Sequence, residues 1–186
     1  MALFAQYGIP GPDYALATSP AEAMQAAEKI GYPVVLKVVS PDIIHKSDVG
    51  GVEVGMKTKE EVAAAYDRIM QNAATKAPGA KIHGILVLSF AKPGVECIVG
   101  MTKDSSFGPA IMFGLGGIFV ELLKDVAFRV LPLDRAEVFA MMQETKGYQM
   151  LTGLRGQKAK DVDALADLIL NVARMIEENP GRSEEH

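Results

Sequence analysis

Ser19-Pro20-Ala21-Glu22 and Thr58-Lys59-Glu60-Glu61 open two helices by the same chemistry, and the β-branched run VVLKVV lies between them. In each box a hydroxyl is placed to accept a hydrogen bond from the amide three residues on, and the glutamate to reach back. Proline at the first helical position strengthens the first box. A chain written this way alternates helices with strands, which excludes a helical bundle or a pure strand sandwich. Ala23, Met24, Ala27 and Ile30 follow helical spacing until Gly31 stops them. Val62, Ala65, Ile69 and Ala73 share a face of the second helix, and Ala77-Pro78-Gly79 ends it.

Strand character recurs in GGVEVGM and in the apolar segments 82–90, 95–101, 110–115 and 126–131, each bounded by turn residues or charge. Asp134, with Glu137 three residues on, predicts a helix through Met142. Asp161 caps a last helix whose face carries Leu165, Leu168, Ile169, Val172 and Ile176, with Asn179-Pro180-Gly181 as terminator. The order predicts a mixed α+β architecture without an internal repeat. Ala91-Lys92-Pro93-Gly94 reads as the boundary between two lobes, and a cleft there is a natural nucleotide site.

Composition narrows the function. The 186 residues are 49% hydrophobic and 23% charged, with a net charge of -4, so a globular chain without a basic nucleic-acid footprint is expected. The apolar stretch 109–123 is too short and too glycine-broken to span a bilayer. MALFAQYGIPGPDY lacks the basic start and apolar run of a signal peptide. The single cysteine, Cys97, allows no internal disulfide and reads as a small buried hydrophobe, so a cytoplasmic location is expected. The polar tail 181–186 reads as disordered.

Two stretches carry chemistry. In VVLKVVSPDIIHKSDVGGV, Lys37 is one charge within an apolar strand; it must reach solvent, as an edge-strand lysine does, or meet an anion. Gly50-Gly51 permits close approach of backbone amides to a phosphate, or simply turns a hairpin. His45 lies between them, flanked by Lys46 and Asp48. Its neutral nitrogen can attack phosphorus, with Asp48 orienting the ring and Lys46 offsetting phosphate charge; a solvated loop histidine has the same signature. His83, in KIHGIL, is read as such a bystander. In the second stretch, 93–133, Glu96 interrupts an apolar strand and calls for a ribose hydroxyl, a cation or a salt bridge. Arg129, inside AFRVL, is a candidate phosphate donor. The FGLGG turn (Gly114, Gly116, Gly117) is weak evidence for phosphate binding, since GxGxxG and GK[ST] are absent. The ten methionines are scattered and read as core filling.

Taken together, YGIPGPDY, VVLKVVSPDIIHKSDVGGV, the long stretch from ILVLSFAKPGVECIVG to AFRVLPL, and MLTGLRG resemble the ATP-grasp subunit of the NDP-forming acyl-CoA synthetases, acetyl-CoA synthetase (ADP-forming) in particular. The resemblance covers nearly the whole chain. It implies an ATP-grasp fold with two α+β lobes around a nucleotide: residues 16–90 as the N-terminal-type lobe, 1–15 with 91–180 as the C-terminal-type lobe. It implies ATP/ADP and Mg2+ as cofactors, and a CoA-binding acyl-CoA synthetase subunit or domain as partner, with further oligomerisation open. Lys37 would contact nucleotide phosphates, Gly50-Gly51 would lie in the triphosphate loop, and Leu88, Ser89, Phe90 and Ala91 would form the hinge whose backbone reads adenine. Glu96 would line the pocket, and His45 would be the mobile phosphohistidine. Family members carry their Mg2+-holding Asn and Asp in strands after the helix ending in ENP. Here ENP is followed by GRSEEH, so those ligands are expected beyond this sequence, and Glu121 and Asp125 are not taken in their place. The rival expectations are a non-catalytic nucleotide-binding module of an acyltransferase-type fusion and a structural fragment.

Overall fold

The computed structural model describes residues 2–116, 124–153 and 158–179. Gly117 and Glu121, part of the MLTGLRG motif and the tail lie outside them. The chain divides into two compact units, one formed by Pro12–Lys92 and the other by Met1–Gly11 with Pro93–His186.

The 12–92 unit is a four-stranded antiparallel sheet covered by two helices. Its elements are β1 (Tyr14–Ala17), α2 (Pro20–Ile30), β2 (Val34–Val39), β3 (Val52–Met56), α3 (Lys59–Lys76) and β4 (Gly84–Ser89); α1 (Ala2–Gln6) belongs to the other unit. The strand order is β1-β4-β2-β3. β2 alternates cleanly: Val34, Leu36 and Val38 are buried with Ile85 and Val87 of β4 beneath α2 and α3. The face predicted for α3 is buried at Val62, Ala65, Ile69 and Ala73, joined by Tyr66. Tyr14 and Ala15, assigned by sequence to the other lobe, belong to this sheet. They pair with Leu88 and Val87, a short edge strand that sequence left unnoticed.

Both boxes form with one difference. Ser19 and Thr58 accept from the amides of Glu22 and Glu61. Each glutamate then reaches one residue further back, to the Thr18 amide at 2.7 Å and the Lys57 amide at 2.6 Å. Among the described residues, only Asp134 and Glu137 exchange both bonds of a capping box.

The second unit holds α1 (Ala2–Gln6), β5 (Cys97–Asp104), β6 (Gly108–Leu115), β7 (Val126–Val130), α4 (Arg135–Glu144), α5 (Tyr148–Leu151) and α6 (Val162–Glu178). Its antiparallel sheet runs β5-β6-β7. Ile111 and Phe113 of β6 pack with Val138, Met141 and Met142 of α4 and with α6. The centre of the α6 face is Ala166, Ile169, Ala173 and Ile176. The alanines let the helix approach closely, while Leu165 and Val172 pack from its flanks. The segment containing α1 joins this unit through Tyr7, whose hydroxyl donates to Glu178 at 2.7 Å and accepts from Asn179 at 2.9 Å. No helix among the described residues is long and apolar enough to cross a membrane.

Ile69 lies fully buried where α3 meets the sheet. Ile69→Ala is expected to cost about 2–5 kcal/mol by leaving a cavity, measured by urea unfolding.

Candidate functional site

Lys37 sits in an interior strand, not at an edge, because β4 and β3 flank β2. The pleat turns it onto the face opposite the helices, where it is exposed. Its cross-strand neighbours there are Leu86 and Val52, with Leu16 beyond Leu86. The next row on that face is Tyr14, Leu88, Val35 and Val54. Tyr14, Leu16 and Val54 stay 48%, 52% and 57% exposed. The face is therefore an apolar surface, and among the described residues of these two rows Lys37 is the one cation. Among the described residues no carboxylate pairs with Lys37. A lone ammonium above apolar side chains suits an anion attached to a flat, weakly polar group.

His45 lies in the β2–β3 connection, exposed, at the start of a run of turns. Backbone bonds define the loop: the Asp48 amide donates to the His45 carbonyl at 3.2 Å, Gly50 to Ser47 at 3.0 Å and Gly51 to Lys46 at 2.8 Å. The link between Asp48 and His45 is thus through backbone; no hydrogen bond joins the carboxylate to the ring among the described residues.

Gly50 and Gly51 are needed for closure. Gly50 has φ +66, and a Cβ there would stand 2.7 Å from Asn72 Nδ2, which donates to the Gly50 carbonyl. A Cβ on Gly51 would stand 2.5 Å from Val38 Cγ1 and 3.0 Å from the Lys46 carbonyl oxygen. Their amides are spent within the turn, so in this arrangement the pair acts as a hairpin closure. Asn72, half-buried on α3, is a contributor that sequence reasoning missed; a polar residue near the apolar face of a helix was its only signal. Asp42 is another: its carboxylate accepts from the Lys81 amide at 2.7 Å and fixes the loop's near end.

The proposed hinge begins in β4. Leu88 is buried, the Ser89 amide donates to Asp13 at 2.9 Å, and the Phe90 amide donates to Pro33 at 3.2 Å. Ala91 is exposed just before the division after Lys92.

Two sequence expectations in the second unit change, those for Glu96 and Arg129. Glu96 does not interrupt a strand: it precedes β5 and is exposed, so water satisfies its carboxylate. Its carbonyl accepts from Gly116 at 2.7 Å. Arg129 is already held, as both terminal nitrogens meet the Glu144 carboxylate and one also donates to the Phe128 carbonyl. This pairing holds the Glu144 carboxyl below its ordinary value. Asp125 is likewise committed, accepting from the amides of Lys146 and Gly147 at 2.9 and 2.8 Å. Burial pushes the Cys97 thiol up, in keeping with a packing role.

The ATP-grasp domain model matches residues 1–184. The chain belongs to the ATP-grasp family. It is 49% identical over 174 residues to the beta subunit of acetate–CoA ligase [ADP-forming] I of Pyrococcus furiosus, covering 94% of this chain and 75% of that subunit. A structure of acetyl-coenzyme A synthetase 1 of Candidatus Korarchaeum cryptofilum, with coenzyme A, Ca-AMPCP and HgCl+, matches with a TM-score of 0.93 at 48% identity. It covers 96% of this chain and 78% of that one. A second structure of that protein matches at TM-score 0.87 and 45% identity, over 95% of this chain and 77% of that one. It contains coenzyme A, acetyl-coenzyme A and a phosphorylated phosphohistidine segment. The chain is the ATP-grasp portion of an ADP-forming acyl-CoA ligase of this kind.

The Glu144 shift fixes a pH dependence. A carboxyl whose folded value lies below its unfolded one, about 4.3 for glutamate, stabilises fully above that unfolded value. The contribution disappears as pH falls through the folded value. Glu144→Gln is expected to lower stability slightly at neutral pH and to leave it little changed below the folded value, which flattens this part of the acid limb; thermal melts between neutral and acid pH read it.

Proposed function

We propose that this chain binds ADP or ATP for an acyl-CoA synthetase that interconverts acyl-CoA + ADP + phosphate with carboxylic acid + CoA + ATP. Its partner is a CoA-binding subunit or domain, and His45 carries the phosphoryl group between them. The 12–92 unit serves as the N-terminal-type lobe and the other unit as the C-terminal-type lobe. The observation that carries the reading is Lys37, an ammonium on an open apolar sheet face, without a carboxylate partner among the described residues. That face takes the nucleotide, with the ammonium on its phosphates.

In the relay, a neutral nitrogen of His45 attacks the phosphorus of an acyl phosphate made by the partner. A P–N bond forms, the acyl P–O bond breaks and the carboxylate leaves. A terminal phosphate oxygen of ADP then attacks the same phosphorus, the P–N bond breaks, and ATP and free imidazole result. Such transfer depends on alignment and charge neutralisation. Lys37 and Lys46 supply positive charge. The backbone of Leu88 to Ala91 contacts the base, and Glu96 lines the pocket. Arg129 is left out, because Glu144 occupies it.

ATP-grasp domains take their nucleotide with Mg2+, which neutralises phosphate charge when bound. Among the described residues no group of three or more His, Cys, Asp or Glu could hold a metal ion. They do not fit a protein-built cage for it.

Lys37→Ala is expected to weaken ADP binding about ten- to a hundredfold, the worth of one charge-assisted contact of about 1.5–3 kcal/mol. Calorimetric titration with Mg2+ present checks it, and unchanged affinity would remove Lys37 from the site. Incubation with γ-labelled ATP is expected to leave acid-labile label at position 45 and none in His45→Ala; full labelling of that variant would sink the relay.

A further inference from the structure

The β2–β3 loop has three bulky apolar side chains near His45, and they are not used alike. Ile43 is 3% exposed and packs into the core of the 12–92 unit. Val49 packs against the same core from the other side of His45. Ile44, between Ile43 and His45, is 80% exposed. The loop around it is well tied: Asp42 holds the Lys81 amide, and the Gly50 and Gly51 amides close the far end. Ile44 therefore stands in water beside His45. The remaining exposed side chains of the turn, His45, Ser47 and Asp48, are polar.

We propose that Ile44 is a positioning residue that seats His45 in the acyl-phosphate site of the CoA-binding partner, where it fills an apolar recess beside the reacting phosphorus. The inference rests on the relay reading above. A carrier imidazole must be aligned within a foreign site that it does not itself build. An adjacent β-branched side chain suits that task, because it is stiff at χ1 and loses little freedom on docking. Its burial also excludes water from the labile P–N bond while the phosphoryl group changes hands. On the nucleotide side, charge does the aligning and Ile44 has no part. The two half-reactions should therefore respond differently to its removal.

The test uses the chain together with its CoA-binding partner. Phosphohistidine is first formed from γ-labelled ATP, and the label is then chased with acetate and CoA. Ile44→Ser is expected to label within about twofold of the parent but to discharge at least tenfold more slowly, with the loss in the rate at saturating partner. Ile44→Val is expected to recover most of the discharge rate. Discharge by Ile44→Ser within twofold of the parent would overturn the proposal, as would an equal loss in both half-reactions. Failure of the parent chain to label at all would instead overturn the relay, and this proposal with it.

Discussion

The close approach between Gly51 and Val38 is the contact on which the candidate site depends. The Val38 amide donates to the Gly51 carbonyl at 2.8 Å, and only a hydrogen on the Gly51 α-carbon leaves room for the valine methyl. That approach returns the chain to the sheet after the excursion that carries His45. It lets β3 pair with β2, making β2 an interior strand. Lys37 is thereby held between two neighbours, and its ammonium has one direction to go. Without the closure, the histidine loop and the lysine strand would lose their common frame.

Much of this was legible because short-range chemistry wrote it. The helix starts at Ser19, Thr58, Asp134 and Asp161 are local exchanges of amide and side chain, and all four formed. The burial of Ile69 followed from spacing alone. The strands β2 to β7 were found as apolar runs, though Glu96 was placed inside a strand it only precedes. What stayed hidden depends on partners far away in the chain. β1 is four residues, YALA, without a polar residue to mark an alternation, and only its pairing with β4 makes it a strand. Arg129 looks available for phosphate in the sequence because Glu144, which holds it, lies on a different element.

The same limit applies to the site. Residue types suggested Lys37 and His45, and the structure adds what surrounds them: apolar rows beside the lysine, and a pinned turn under the histidine. Asn72 and Asp42, which tie that turn, have no sequence motif. Their role exists only once α3 and the Lys81 segment lie beside the loop.

The order of elements along the chain has a consequence for biosynthesis. The 12–92 unit is one uninterrupted segment, so every strand and helix it needs has been made before Pro93 is added. The other unit is split around it, and Tyr7 meets Glu178 and Asn179 across nearly the whole length of the chain. During synthesis the first unit is free to collapse early, while the opening helical segment waits for the last helix to leave the ribosome. A ribosome paused far enough past the boundary for β4 to clear the exit tunnel would thus display a finished histidine-bearing unit, with its companion still lacking the helices onto which residues 1–11 close.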